Sequence, residues 1–286
     1  MPKLRINGLD IYYEEAGRGI PLVFVHEFAG DWRSWENQMR FFSGRYRAVT
    51  YSVRGYLPSD VPDGPDEYSQ DIQVEDLKGL LDALEIDRAH TCGLSMGSYT
   101  TLFFGLKYPD RARSLTIAGS GYGSGKNRGE FQGEMAGLAD QMLQGGMNSV
   151  EKRYTESPSR IQLQNKNPRG WEEFRRQFLE HSPMGSAYTL LGVQARRPSI
   201  MDWGDSLKNM NLPVLVILGD EDERGMEGSL FMKRSIPRAG LEIYPRSGHA
   251  VNLEEPERFN RSVLDFITAV DAGRWEPRDP RSLSAL

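Results

Sequence analysis

Short, mostly apolar runs that alternate with segments of helical spacing constrain this chain more than any other feature. Pro21-Leu22-Val23-Phe24-Val25-His26, Tyr46-Arg47-Ala48-Val49-Thr50-Tyr51, Arg88-Ala89-His90-Thr91-Cys92, Ser114-Leu115-Thr116-Ile117-Ala118, Pro213-Val214-Leu215-Val216-Ile217-Leu218-Gly219 and Leu241-Glu242-Ile243-Tyr244 all have strand length. Continuous apolar runs mark strands buried on both faces, as in a parallel sheet covered by helices. The intervening segments supply those helices. Residues 32–42 place Trp35, Met39 and Phe42 on one face, and residues 69–84 repeat Ile72, Leu77, Leu80, Leu81 and Leu84 at helical intervals. Further helices are expected from Tyr99 to Lys107, where Pro109 ends the segment, near 228–235 and over 255–270. Leu4-Arg5-Ile6 and Ile11-Tyr12-Tyr13, joined through Asn7-Gly8, read as an opening hairpin. The whole predicts an α/β fold, a mostly parallel central sheet flanked by helices, with its ligand outside the carboxyl ends of the strands.

The alternation stops after Ala118 and resumes at Pro213. That divides the chain into a core of residues 1–120 and 212–270, a helical lid inserted after the sixth strand over residues 121–211, and a polar, proline-bearing tail, 271–286, expected to be loosely attached. The lid segment is rich in Gly, Gln, Arg and Met and has no single period. A net charge of −5 with interspersed signs gives no basic footprint, so nucleic acid is not an expected partner. No run approaches a membrane span, and the residues after Met1 lack a signal-peptide core, so the expected place is the cytoplasm. The single cysteine, Cys92, excludes an intramolecular disulfide and a Cys-rich metal site, and reads as a small buried thiol.

Chemistry points to Gly93-Leu94-Ser95-Met96-Gly97, at the end of a predicted strand and before a helix. A serine hydroxyl is a poor nucleophile unless a sharp turn presents it to a base and to backbone donors, and G-x-S-x-G permits that turn. The base must come from four histidines. His90 lies along a strand and reads as structural; His181 reads as a surface histidine, with a pocket position as the alternative. His249, in Arg246-Ser247-Gly248-His249-Ala250 just past the last strand, is either the base or an ordinary loop histidine. The orienting acid would come from Gly219-Asp220-Glu221-Asp222-Glu223 at another strand end, which preserves the order serine, acid, histidine. Ser120-Gly121-Tyr122-Gly123, after the strand ending at Ala118, contains no acid.

Together the elbow at Ser95, the late Gly219-Asp220-Glu221-Asp222, the run from Gly248 to Pro256 and the early Val23-Phe24-Val25-His26 resemble the α/β-hydrolase superfamily over nearly the whole chain outside lid and tail. The resemblance implies a nucleophile Ser95, a base His249 and, through the G-x-x-D pattern, an orienting Asp222, with Asp220 as the fallback. It also implies an oxyanion hole built from the backbone N–H groups of Met96 and Phe28. The chain departs from the family pattern where His26-Glu27 replaces His-Gly. Glu27 either points into a hydrogen-bonded shell beneath the loop, the favoured reading, or faces the pocket and repels anions. Tyr122, Tyr188, Trp203 and Met184 are candidate pocket walls.

Competing motifs fail. His26-Glu27 lacks the second histidine of H-E-x-x-H, since Gly30 stands there, and the run Gly119 to Asn127 breaks the phosphate-loop pattern at Ser120 and Asn127. No metal or other cofactor is called for. The expected activity is cleavage of a small acyl or lactone substrate by a serine hydrolase. The alternatives are hydrolysis of a carbon–carbon bond in a diketone-type compound with the same triad, and a slow-turnover ligand-binding or signalling protein of the same fold.

Overall fold

Asn7 and Gly8 both have positive φ, 48° and 84°, as a tight two-residue hairpin turn requires. They join β1 (Lys3–Ile6) to β2 (Leu9–Ala16) with Ile6 opposite Leu9. A computed structural model of the chain describes residues 2–126 and 128–283. Met1, Asn127 and residues 284–286 lie outside the described residues, and with them one end of the glycine-rich run and the last part of the tail.

The remaining strands are β3 (Pro21–Val25), β4 (Arg47–Tyr51), β5 (Ala89–Leu94), β6 (Ala112–Ala118), β7 (Val214–Gly219) and β8 (Ala239–Tyr244). Between β3 and β6 run α1 (Glu36–Phe42), α2 (Gln70–Ala83) and α3 (Met96–Lys107). Between β6 and β7 the chain forms α4 (Arg128–Gly145), α5 (Glu151–Thr155), α6 (Ile161–Lys166), α7 (Pro168–Leu179), α8 (Pro183–Thr189) and α9 (Gly204–Lys208). Then follow α10 (Glu223–Ser235), α11 (Val251–Glu254) and α12 (Pro256–Asp271). The eight strands form one sheet in the order β1-β2-β4-β3-β5-β6-β7-β8, parallel from β4 to β8.

Alternation along the parallel strands splits the core in two. Val23, Val25, Val49, Leu115, Ile117, Val214 and Val216 face one side with Leu77, Leu80 and Leu81 of α2, Leu102 of α3 and Met232 of α10. Leu22, Phe24, Ala48, Cys92, Leu94, Leu215 and Ile217 face the other with Met39 and Phe42 of α1 and Phe259, Val263 and Ile267 of α12. Both faces are dry, which is why these strands read as unbroken apolar runs. Cys92 is wholly buried, and burial pushes its thiol pKa well up, so it packs and does not react.

Two local expectations change. α3 begins at Met96 and α10 at Glu223, each several residues before the apolar period starts, because their first turns serve the strand-end loops. The tail is not loose at its start. Trp275 packs edge-on against Phe266 at 4.7 Å and donates to the Arg238 carbonyl at 2.8 Å, while Arg278 N donates to the Pro237 carbonyl at 3.0 Å. One large apolar side chain in an otherwise polar segment is enough to dock it. Among the described residues no helix is long and apolar enough to cross a membrane.

Candidate active site

Ser95 sits where β5 turns into α3, with φ 53° and ψ −110°. That is a left-handed conformation for a residue with a Cβ, at a typical cost of about 1–3 kcal/mol. The surroundings hold it there: Ser95 N donates to the Ala118 carbonyl at the end of β6 at 2.8 Å, and Ser98 Oγ donates to the Ser95 carbonyl at 2.5 Å. The flanking glycines are required by close approach. A Cβ on Gly93 would strike the Gly97 carbonyl, and one on Gly97 would strike the Val25 carbonyl. Strand, elbow and helix can therefore nest only without side chains at those two positions. Met96 heads α3, and the N–H groups of a helix's first turn have no acceptor within the helix and face its positive end.

His249 lies in the loop after β8. Its Nδ1 is 2.9 Å from Asp222 Oδ2, and Asp222 Oδ1 accepts a 2.6 Å hydrogen bond from the Tyr122 hydroxyl. Asp222 is 2 % exposed and His249 4 %, so water does not compete for either group. An ionised carboxylate only accepts, so Nδ1 carries the proton and Nε2 keeps its lone pair. Burial by itself would lower the His249 pKa, but the Asp222 charge and hydrogen bond outweigh it, and the net shift is upward. Burial likewise opposes ionisation of Asp222, yet His249 and the Tyr122 hydroxyl hold its pKa below the usual carboxylate value. Asp220, the fallback acid, accepts instead from Ser247 N at 3.2 Å. The Tyr122 ring also packs on the imidazole, with centroids 4.7 Å apart.

Ser95, His249, Tyr122 and Phe28 line one cavity of about 320 Å³, whose far side is formed by Phe131, Met135 and Leu138 of α4, Tyr154 of α5 and Gln194 and Arg197. That volume is at the small end of the range for small-molecule sites, roughly 300–1,000 Å³.

Glu27, Tyr188, Trp203 and Met184, taken as pocket walls or candidates for it, are not part of that wall. Glu27 is 1 % exposed and its carboxylate is gripped by both terminal nitrogens of Arg160, itself fully buried in the insertion. Arg160 also lies over the rings of Phe174 and Tyr154, at 4.6 and 5.5 Å. The carboxylate therefore replaces the usual glycine by tying the loop that carries Phe28 to the insertion. Tyr188 packs on Tyr68 and Trp203 on Phe103, each partly buried against the core. His181 is no surface histidine. It is 4 % exposed, its Nε2 stands 3.4 Å from Asp31 Oδ2, and it is wedged against Tyr56 and Phe178. The acid that pairs with it lies 150 positions away, which no local reading reveals.

His26 is bound on both ring nitrogens, by the Glu27 carbonyl at 2.7 Å and by Val53 N at 3.0 Å, and burial pushes its pKa down to about 4. It is a neutral brace between the ends of β3 and β4. His90 bridges Ser114 Oγ and Asp271. Glu254 was not singled out from the sequence. Its carboxylate accepts from Gly248 N at 2.6 Å and Ala250 N at 3.0 Å, clamping the backbone on both sides of His249. An acid directly before Glu255-Pro256 at a helix start was the available signal.

A family model described as the alpha/beta hydrolase fold matches residues 20–256, a span that holds every element of the site. The chain belongs to the α/β-hydrolase fold family. It is 29 % identical over 276 residues to the 2-hydroxy-6-oxononadienedioate/2-hydroxy-6-oxononatrienedioate hydrolase of Burkholderia vietnamiensis, covering 91 % of each chain. It is 28 % identical over 254 residues to 3-oxoadipate enol-lactonase 1 of Acinetobacter baylyi, covering 87 % of this chain and 89 % of that one. Among solved structures it is similar to a thermophilic esterase from Thermogutta terrifontis, with a TM-score of 0.81, 26 % identity and coverage of 92 % and 94 %. These relatives and neighbours are hydrolases and esterases, and the chain is an α/β-fold hydrolase with a small-molecule substrate.

Proposed function

We propose that this hydrolase cleaves an ester, a lactone or a similar small carbonyl compound through an acyl-enzyme on Ser95. The observation that carries the reading is the 2.9 Å His249–Asp222 bond at the wall of the cavity that also holds Ser95 on its strained turn. In this mechanism His249 Nε2 takes the Ser95 proton as Oγ attacks the carbonyl, and Asp222 stabilises the imidazolium through Nδ1–H. The N–H groups of Met96 and Phe28 receive the oxyanion, a type of donor worth about 2.7–4 kcal/mol each in the transition state. His249 returns its proton to the leaving group, then activates the water that frees the acyl chain. Residues 121–211 act as the lid over the core of residues 1–120 and 212–270. The Acinetobacter enol-lactonase and the Thermogutta esterase support this chemistry.

A second reading, carbon–carbon bond hydrolysis with the same residues, is favoured by the likeness to the Burkholderia hydrolase. Labelling with a fluorophosphonate tests both at their shared step: the adduct is expected on Ser95, and its appearance elsewhere sinks the nucleophile assignment. Turnover of a nitrophenyl ester against a vinylogous diketone then separates ester from carbon–carbon cleavage. Stoichiometric labelling without sustained turnover of either would move the chain to the slow, ligand-binding class.

A further inference from the structure

One wall of the cavity is left unsatisfied by its own chain. Arg197, 5 % exposed, donates from Nη2 to the Tyr122 carbonyl at 2.9 Å, and its guanidinium lies 3.6 Å from the centroid of the Tyr99 ring. Its Nε and Nη1 are buried without an acceptor. Its electrostatic neighbours are Tyr99 and Arg128, not a carboxylate; burial lowers its pKa and Arg128 adds to that, with Tyr99 opposing. Gln194, 6 % exposed, ends the π-helical turn Leu190–Gln194, lines the same cavity, and leaves its buried Oε1 without a donor. Buried donors and acceptors are nearly always paired, so two such side chains on one wall mark a place where something else completes the set.

The other charges of the wall do not supply it. Glu134 is taken up by Arg224 in a two-pronged pair at 2.6 and 2.9 Å, and Arg153 is exposed at the rim, donating to Gln141 at 3.1 Å. The wall facing Ser95 therefore carries net positive charge, and its buried part is Arg197. The two free guanidinium donors of Arg197 suit a planar anion of two oxygens, whereas Gln194 Oε1 accepts and calls for a separate donor on the ligand, such as a hydroxyl.

We infer that Arg197 is the anchor for a carboxylate on the substrate, so that the compound cleaved at Ser95 is an ester, lactone or ketone bearing a second, anionic group. The inference rests on the Ser95 reading and names its substrate class. A matched pair tests it: mono-4-nitrophenyl glutarate and 4-nitrophenyl valerate have acyl chains of the same length, one ending in a carboxylate and the other in a methyl group. The expected kcat/KM ratio favours the glutarate ester by about 10- to 100-fold, the range for a charge-assisted hydrogen bond. Arg197→Met should bring the ratio near unity. Gln194→Glu, which adds a resident carboxylate to the cavity that Arg197 lines, should do the same, and it decides the matter if Arg197→Met does not fold. A wild-type ratio near or below unity, or an unchanged ratio in Gln194→Glu, overturns the inference. If neither ester is turned over, the Ser95 reading fails separately, and calorimetry with glutarate on the Ser95→Ala protein still decides the subsite. Saturable binding weakened at least tenfold by adding Gln194→Glu supports it, and no binding overturns it.

Discussion

The two sides of the cavity differ in how their polar groups are satisfied. On the sheet side, His249 and Asp222 complete one another with a hydrogen bond from Tyr122, just past β6, Glu254 holds the histidine loop from behind, and the Ser95 elbow is pinned to β6. On the insertion side, Arg197 and Gln194 keep buried polar atoms without partners. The sheet side rests on strand ends whose spacing is set by the β-ladder, so a reacting constellation can be held with little freedom. The opposite side, from the stretch between β6 and β7, rests on helices that range from the five residues of α5 to the eighteen of α4 and on a π-helical turn, with no β-ladder to set their spacing. In the proposed mechanism, reaction and selection fall to different structural materials, and the buried Glu27–Arg160 pair joins the two.

That contrast can be broken most strongly at Ser95. Ser95→Ala is expected to lower kcat by roughly 10⁴- to 10⁶-fold with the fold intact by circular dichroism. Next comes Asp222→Asn, expected to cost about 10⁴-fold in kcat, whereas Asp220→Asn should leave the rate within an order of magnitude. A reversal of that order would transfer the orienting role to Asp220. The pH profile sharpens the assignment. His249 must be neutral to accept the proton, and its pKa is raised by Asp222 against the pull of burial. The acidic limb of kcat/KM should therefore lie above the ordinary histidine value in the wild type and move to lower pH in Asp222→Asn.

Smaller effects test the joint between the two sides. Glu27→Gly strands Arg160 as a buried, unpaired charge, at an expected cost of about 3–5 kcal/mol in stability, read as a lower urea midpoint. An unchanged pH limb in the surviving folded protein would mark Glu27 as purely structural. Tyr122→Phe removes one of the two hydrogen bonds to Asp222 and should reduce kcat/KM about tenfold, the scale of one hydrogen bond to a charged group. A loss as large as that of Asp222→Asn would mean that Tyr122 does more than hold the acid.

Much of the sheet was legible in the sequence, because strand burial and helical period are local properties. The same holds for the elbow, where Gly93 and Gly97 are demanded by backbone contacts a few residues away, and for the hairpin at Asn7-Gly8. The acidic run at 220–223 was legible as a strand-end loop, but the side chains alternate in direction there, and only the fold turns Asp222 toward His249 and Asp220 toward Ser247. The stretch between β6 and β7 was the least legible. Its contacts join residues more than a hundred positions apart, Glu27 to Arg160 and Asp31 to His181 among them. What the sequence by itself determined is the set of strands, their burial and the turn that presents Ser95, since these follow from composition and period over a few residues. The resemblance had already pointed to Asp222; tertiary structure alone decided why Glu27 is tolerated beside Phe28 and that Arg197 reaches the cavity wall without a counter-charge. Those outcomes depend on how segments with no periodic signal pack against the finished sheet.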